Sequence, residues 1–241
     1  MRVLRGRAAD IETDRARTRE MAERVGETGE RALRVWTPHR QIAFGRRDAR
    51  AAGYERAREA AEERGFPAIE RRVGGRAVAY TGSTVAFARA EPVADIRTGL
   101  QDRYAAATAD MQAALDSLGV SVTAGEPPDS FCPGTHSLQA TVGDGGNGEG
   151  ERSTEGKLVG IAQRVGRGAA LVAGVIVVDS AAEIADVLEP VYDALEVAFD
   201  PGTVGSIERA GGEADREAVL LAIEWALVSD RNDISVKQII G

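Results

Sequence analysis

Cysteine, histidine and lysine are scarce in this sequence, and each shortage narrows the range of possible functions. With Cys132 as the sole cysteine among 241 residues, the chain can form no intrachain disulfide and no cysteine-built metal site. Two histidines, His39 and His136, are too few for a histidine-rich metal cluster. No run of about 18 apolar residues is present, which excludes a membrane-spanning helix, and the polar start lacks the apolar stretch of a secretory signal. We therefore expect a cytoplasmic protein without a metal site.

The balance of charges excludes another class of function. The net charge is −8 at pH 7, whereas general nucleic-acid binders carry a positive surface that neutralises phosphates. Among the 30 basic residues only Lys157 and Lys237 are lysines, and the others are arginines. A lysine retained in such a chain is a candidate for a specific role, although chance explains any single lysine about equally well.

The order of apolar patterns predicts an α+β fold. Helical patterns cover residues 10–27, 49–64, 96–119, 181–198 (interrupted at Pro190) and 213–228, and strand patterns cover 33–36, 41–44, 68–72, 77–80, 84–89, 138–142, 157–164 and 169–178. Adjacent strands in the middle of the chain favour a mixed, largely antiparallel sheet flanked by helices. We expect one domain over residues 1–241, a mobile acidic glycine-rich loop at 143–156 and a short tail after the last helix.

The first segment with chemical potential spans residues 70–80. Gly74 and Gly75 stand between two predicted strands, where backbone N–H groups can approach a ligand closely. The flanking Arg71, Arg72 and Arg76 would suit a phosphate or a carboxylate. A β-turn with solvated arginines explains the same residues without any ligand.

The second segment is the loop at residues 129–134, which carries Cys132. Pro133 fixes the local backbone and so helps to hold a side chain in one orientation. Loops on rigid scaffolds often carry function, but a sole cysteine is usually a small buried apolar residue. A nucleophile and an inert thiol are therefore equally good interpretations, and the nearby His136 does not establish a cysteine–histidine dyad.

The third segment is the strand at residues 156–163, which contains Lys157. Strict alternation places Lys157 and Gln163 on one side, together with Val159 and Ile161. The small residues Gly160 and Ala162 would leave space for a ligand. An edge-strand lysine that prevents aggregation is the alternative interpretation.

Together the three segments resemble the lipoate-protein ligase/octanoyltransferase family, whose catalytic domain is related to biotin protein ligase. The run Arg72–Val78 is similar to the family's Arg-x-x-Gly-Gly loop, and Gly156–Arg164 is similar to its lysine strand signature. The segment Arg34–Asp48 resembles the family's early hairpin, and the resemblance covers roughly residues 30–200. It implies the fold of class II synthetases and biotin ligases.

The resemblance is nearest to the cysteine-dependent octanoyltransferases and lipoyl amidotransferases. ATP-dependent lipoate ligases typically have Asn-Asp ahead of the lysine strand, whereas this chain has Ser130–Gly134 there, with its cysteine. The Gly74–Arg76 variant of the glycine loop is also more like the cysteine-dependent branch. Two features depart from that branch: His136 and Ser137 replace an acidic residue, and the loop at 143–156 is longer.

This resemblance implies acyl transfer with two catalytic residues. Cys132 would carry an octanoyl or lipoyl thioester, and the ammonium of Lys157 would stabilise the thiolate and the oxyanion. The implied substrate-binding residues are Arg72, Gly74, Gly75, Arg76, Ala77, Gly160 and Ala162, with Val78 and Ile161 in an apolar tunnel. No cofactor is needed. The implied partners are an acyl donor (acyl carrier protein or H protein) and acceptor lipoyl domains, with neither nucleic acid nor membrane involved.

Two other function classes remain open from the sequence. A lipoate-protein ligase would form lipoyl-adenylate from lipoate and ATP with Mg²⁺, with Lys157 contacting carbonyl and phosphate oxygens and Cys132 incidental. A non-catalytic binding protein on the same fold would need neither residue. The retention of Lys157 and Cys132 in a chain poor in both residue types speaks against the latter.

Overall fold

The computed structural model describes residues 1–71, 75–143, 153–166, 168–228 and 234–239. Its helices are α1 (Ile11–Thr28), α2 (Tyr54–Glu63), α3 (Leu100–Ser117), α4 (Ala181–Ala194) and α5 (Arg216–Leu227). Its strands are β1 (Arg2–Gly6), β2 (Ala32–Trp36), β3 (Gln41–Phe44), β4 (Ala68–Glu70), β5 (Val78–Tyr80), β6 (Val85–Pro92), β7 (Thr123–Ala124), β8 (Ser137–Val142), β9 (Thr154–Val165), β10 (Ala169–Ile176) and β11 (Ser235–Ile239). Most of the predicted loop at 143–156 lies outside the described residues, and its last three residues belong to β9.

Two sheets organise the described part of the chain. The large sheet has eight strands in the order β11-β1-β2-β6-β10-β9-β8-β7, and the small sheet has three in the order β4-β3-β5. In the large sheet the pairs β1–β2 and β1–β11 are parallel, and the other pairs are antiparallel. The prediction of a mixed, largely antiparallel sheet flanked by helices is therefore confirmed.

Three apolar clusters give the molecule its layers. One face of the large sheet packs against α3 and α5, and its core includes Phe87, Met111 and Ile223. The opposite face packs against α1 around Met21 and Val25. The small sheet, α2 and α4 enclose a third cluster, which includes Phe131 and is contacted by Cys132. The cysteine loop therefore lies between the small-sheet unit and the large sheet.

Several boundaries differ from those that the sequence patterns predict. β2 and β3 surround a turn as predicted, but they belong to different sheets. Helix α4 continues through Pro190 without interruption, because its buried side chains, such as Val187 and Val191, pack against the small-sheet unit on both sides of the proline. Residues 235–239 of the predicted tail form a strand that pairs with β1.

Among the described residues, no helix combines the length and the apolar character that a membrane crossing requires.

A buried ion pair joins α1 to the large sheet. Arg34 on β2 is fully buried, and its Nη2 lies 2.5 Å from Oδ1 of Asp14 in the first turns of α1. The Arg34 guanidinium also donates to the Asp14 carbonyl and the Thr18 hydroxyl, both at 2.9 Å, while the Trp36 indole donates to Asp14 Oδ2 at 3.1 Å. Burial lowers the pKa of Arg34, and the Asp14 carboxylate opposes that shift. The pair therefore fixes the position of α1 over the sheet.

We expect Asp14→Ala to destabilise the protein by about 3–5 kcal/mol, because it leaves the buried Arg34 guanidinium without its counter-ion. Urea unfolding followed by circular dichroism measures this change. Glu20→Ala is the control, since it removes an exposed ion pair with Arg17 and should change the free energy of unfolding by less than about 0.5 kcal/mol. Equal midpoints for the two variants would show that the buried pair contributes no more than a surface pair.

Candidate active site

Tyr192 holds the backbone of Cys132 in an unusual conformation. Cys132 has a φ of 43°, in the left-handed region that non-glycine residues rarely adopt. Its N–H donates to the Tyr192 hydroxyl at 2.6 Å, and that hydroxyl donates in turn to the carbonyl of Ala77 at 3.0 Å. Burial and the nearby Cys132 raise the pKa of Tyr192, which keeps the hydroxyl protonated as a donor. α4 and the end of the glycine loop therefore position the thiol together.

Arg71 contacts the sulfur of Cys132 directly. Its Nη2 donates to Sγ at 3.1 Å and to the Arg76 carbonyl at 2.5 Å. Gly75 leaves room for both groups, because a Cβ at that position would lie 2.8 Å from Arg71 Nη2 and 3.0 Å from Sγ. The glycine loop and the cysteine loop, which are far apart in sequence, therefore meet at the thiol.

The electrostatics of Arg71 favour a negatively charged neighbour. Burial lowers the pKa of Arg71, but Cys132 and Tyr80 raise it by more, so that the net shift is upward. Burial also raises the pKa of Tyr80, so that this side chain remains neutral beside the guanidinium. Within the described residues the Nε of Arg71 is buried without a hydrogen-bond partner. A half-buried guanidinium with spare donor capacity can stabilise a thiolate or the oxygen of a bound acyl group.

Lys157 is brought to the cysteine loop, but its ammonium faces the main chain. The side chain is 1% exposed, and Nζ donates to the carbonyls of Phe131 and Cys132, both at 2.9 Å. Nζ also lies 2.8 Å from Oε1 of Glu126, and this carboxylate in turn accepts from the Ser130 hydroxyl. The expected position beside the thiolate is thus taken by Arg71, whereas Lys157 anchors the backbone that carries the thiol.

The remaining predicted residues of the glycine loop have structural contacts of their own. Arg76 forms an ion pair at 3.1 Å with the buried Asp48, which also accepts from the Gly45 N–H. Ala77 is fully buried and supplies the carbonyl that binds Tyr192. Arg72 and Gly74 lie outside the described residues, so their binding roles stay predictions.

A β-bulge sets which residues share a face with Lys157. Leu138 pairs with Val159 and Gln139 pairs with Lys157, so Leu158 is the extra residue. Gly160 consequently lies beside the lysine, since a Cβ there would be 3.6 Å from Lys157 Cε.

Apolar residues, several of them small, continue the face of the sheet that carries Lys157 and Gly160 across four strands. Gly160 lies opposite Val175, Val175 opposite Ala86, and Ala86 opposite Trp36. The neighbouring row contains Ala162, Ala173 and Ala88. The row from Gly160 to Trp36 spans three strand spacings, roughly 14 Å. This row of residues starts next to Lys157, and we call it the apolar strip.

The bulge overturns one expectation about the lysine strand. Gln163 does not share a cavity with Lys157, because its amide binds Arg103 and the Leu100 carbonyl on the α3 side of the sheet. Ile161 packs into the core beneath α3 and α5, so it does not line a tunnel beside Cys132.

His136 does not form a dyad with the cysteine either. Its ring stacks on Tyr104 at a centroid distance of 3.5 Å, and burial lowers its pKa.

Sequence reasoning missed three side chains that shape the site: Arg71 as a partner of the thiol, Glu126 and Tyr192. Glu126 lies in the proline-rich loop before the cysteine and Tyr192 lies on α4, so neither belongs to a recognisable motif. The only signal for Arg71 was its place next to the glycine loop, where it looked like a solvated arginine.

A family model of the lipoyl protein ligase A/B catalytic domain matches residues 10–219. No curated protein matches the sequence.

Three solved structures resemble the fold at low sequence identity. A lipoate-protein ligase A bound with ATP aligns with a TM-score of 0.67 and 15% identity, over 99% of this chain and 89% of that chain. A T. acidophilum protein with bound lipoic acid aligns at 0.65 and 16%, over 99% and 89%. A bi-partite lipoate protein ligase from Thermoplasma acidophilum, studied with its E2 lipoyl domain, aligns at 0.57 and 16%, over 99% and 87%. At such identities the likeness establishes the fold.

We expect Gly75→Ala to slow alkylation of Cys132 by about tenfold, equivalent to about 1.4 kcal/mol, because the new methyl group would contact Sγ and displace Arg71. The rate of iodoacetamide addition, followed by intact mass, measures this effect on the sole cysteine.

Gly82→Ala is the matched control. Gly82 has the same φ of 94° as Gly75, but a Cβ there has no atom within 4 Å. Both variants should lose about 1 kcal/mol or more of stability through backbone strain, but only Gly75→Ala should slow alkylation. Equal alkylation rates would place Gly75 away from the reactive face of the thiol.

Proposed function

The chain belongs to the lipoyl protein ligase A/B catalytic domain family, and we propose that it transfers an octanoyl or lipoyl group through a thioester on Cys132 to a lysine of an acceptor lipoyl domain. Family membership connects the chain with protein lipoylation. The observation that carries the finer proposal is the contact between Arg71 and the sulfur of the half-buried Cys132. No cofactor takes part in this reaction.

The first step forms the enzyme thioester. The Cys132 thiolate attacks the carbonyl carbon of an octanoyl thioester on a carrier protein, and a carbon–sulfur bond forms to Sγ. The bond to the carrier's thiol then breaks, and that thiol leaves with the electron pair and takes up a proton. The Arg71 guanidinium stabilises the thiolate before attack, since the thiolate is the reactive form of a cysteine.

The second step moves the acyl group to the acceptor. The neutral ε-amine of the acceptor lysine attacks the thioester carbonyl, an amide bond forms, and the bond to Sγ breaks to regenerate the thiolate. The amine proton leaves to solvent. In both steps Arg71, which contacts Sγ, is the cation that we assign to the oxyanion of the tetrahedral intermediate, and such stabilisation is worth most where water is excluded.

The residues around the thiol have supporting roles in this proposal. Lys157 holds the carbonyls of Phe131 and Cys132 and so keeps the nucleophile in place. In this proposal Gly75 and Arg76 border the acyl carbonyl site, and Ala77 supports it through Tyr192. Arg72 and Gly74, which lie outside the described residues, keep their predicted binding roles.

We place the acyl chain on the apolar strip that begins at Gly160. This strip and the neighbouring Ala162 offer flat, small side chains, and Trp36 stands at the far end. Its span of roughly 14 Å exceeds the length of an extended eight-carbon chain. The absence of a side chain at Gly160 lets the chain pass close to Lys157.

The ATP-dependent ligase is the second candidate function. One observation favours it: the Lys157 ammonium faces two carbonyl oxygens, a position from which it could bind the acyl and phosphate oxygens of lipoyl-adenylate. Its three donors are already engaged by Glu126 and these carbonyls, so a ligand would have to replace one of them. In that reading Mg²⁺ and ATP are required and Cys132 is incidental.

Incubation with octanoyl-acyl carrier protein in the absence of ATP should add one octanoyl mass to the wild type and none to Cys132→Ala, because the sulfur is the attachment point. Cys132→Ala should also fail to acylate an acceptor lipoyl domain. Intact mass spectrometry measures both results, and thermal unfolding checks that the variant is folded.

Two outcomes would contradict the thioester. Full activity of Cys132→Ala that depends on ATP and free lipoate would establish the ligase. Absence of acylation with every donor, with and without ATP, would leave a non-catalytic binding protein.

We expect Arg71→Gln to slow formation of the Cys132 thioester by about a hundredfold, because the thiolate and the oxyanion lose their cation. Arg71→Lys should recover part of the rate, since it keeps the charge but not the guanidinium geometry. The rate is measured by rapid quench and mass spectrometry, with Arg58→Gln, a partly exposed arginine on α2, as the control. A wild-type rate in Arg71→Gln would remove Arg71 from the mechanism and return the cationic role to Lys157.

A further inference from the structure

Three exposed arginines follow β3 at the edge of the thiol site. Arg46, Arg47 and Arg50 stand in and around a short 3₁₀ turn, which we call the arginine turn (residues 46–50). Within the described residues their side chains have neither an ion pair nor a hydrogen bond, whereas most arginines on α1 and α2 have an acidic partner. Exposed charges without a partner among the described residues are available to another molecule.

The arginine turn is held next to Cys132 by backbone contacts. A Cβ at Gly45 would lie only 1.9 Å from the Gly75 carbonyl oxygen, so the start of the turn and the glycine loop are in close contact. Gly75 itself borders Sγ. The ion pair between Arg76 and Asp48 ties the turn to the same loop. The arginines therefore lie beside the loop that borders the thiol, and we call this part of the surface the rim.

The local charge is opposite to that of the whole chain. Asp48 is the acidic residue of the turn, and it is completely buried and bound to the Gly45 N–H and to Arg76. It therefore neutralises none of the exposed arginines. Because the chain carries a net charge of −8, an acidic partner is repelled by most of its surface and attracted at this rim.

The chemistry of the second step explains why such a rim is useful. An acceptor lysine is a cation at neutral pH, and it must approach a site that already contains Arg71 and Lys157. Carboxylates around the acceptor lysine would offset this repulsion if they met cations on the enzyme. Oppositely charged rims also orient two proteins before contact and raise the association rate.

We propose that the arginine turn is the docking surface for a carboxylate-bearing face of the acceptor domain, next to its target lysine. This inference rests on the acyl transfer proposed above for its acceptor, but not on which donor supplies the acyl group. Arg46 and Arg47 form charge-assisted contacts with acidic side chains of the acceptor, and these contacts guide the lysine toward the Cys132 thioester.

The test compares a protein acceptor with a small donor. Arg46→Glu/Arg47→Glu should lower kcat/KM for an isolated E2 lipoyl domain by about tenfold or more at low salt, mainly through KM, and the deficit should shrink in 0.5 M salt. The same variant should form the Cys132 thioester from octanoyl-N-acetylcysteamine at the wild-type rate, because a small neutral donor does not need docking. Both arginines are exposed and have no side-chain partner in the described ranges, so the variant is expected to fold.

Arg24→Glu/Arg31→Glu is the matched control. It makes the same change in net charge with two exposed arginines that lie near the turn between α1 and β2, away from the arginine turn in sequence. Equal loss of activity in both double variants would reduce the effect to net charge and overturn the docking surface, as would an unchanged KM in Arg46→Glu/Arg47→Glu.

Other outcomes separate this inference from the proposed function. If the wild type forms no thioester but uses ATP and lipoate, the same comparison is made with those substrates. A raised KM for ATP with an unchanged KM for the lipoyl domain would assign the arginines to nucleotide phosphates and overturn the inference. A wild type without any acyl transfer would instead refute the proposed function, which the failure of docking alone would not.

Discussion

The buried ammonium of Lys157 is the interaction on which the geometry of the site depends. Removing an ammonium from water costs several kcal/mol unless other groups replace the lost hydration. Here Glu126 supplies the opposite charge, and the carbonyls of Phe131 and Cys132 accept the remaining hydrogen bonds. Because two of the three partners are main-chain atoms of the cysteine loop, satisfying the charge forces that loop onto β9. The location of Cys132 is therefore a consequence of the hydrogen bonds that the buried lysine requires.

The bulge at Leu158 makes this arrangement possible. Without the extra residue, strict alternation would turn Lys157 to the same face as Val159 and Ile161, into the apolar core under α3. With it, Lys157 turns toward the cysteine loop and shares its face with Gly160. The alternating pattern predicted the strand correctly, but it placed the wrong residues on the face of Lys157. A single bulge cannot be recognised in a run of apolar residues. The predicted position of Gln163 beside Lys157 was wrong for the same reason, because Gln163 follows the bulge and Lys157 precedes it.

Local patterns predicted most of the elements, whereas pairing between distant segments was not predictable. β9 and β10 were recognised because a long apolar run carries its own signal. β11 was not, because its side chains are largely exposed and its parallel partner β1 is at the opposite end of the chain. Helix α4 was expected to break at Pro190, but packing on one face compensates for the lost hydrogen bond. In each case tertiary contacts outweighed a local preference.

The candidate site divides its two cations between two tasks, and composition explains why only one was foreseen. Lysine is so rare in this chain that Lys157 stood out, whereas Arg71 was one arginine among many beside a glycine turn. Yet the two are not interchangeable. The compact ammonium of Lys157 can donate to several main-chain carbonyls at once. The planar guanidinium of Arg71 donates from Nη2 to both Sγ and the Arg76 carbonyl, while its Nε has no partner among the described residues. The thiol therefore obtains a fixed backbone and a nearby positive charge from different residues, so that in the proposed acyl transfer neither cation must leave its partners.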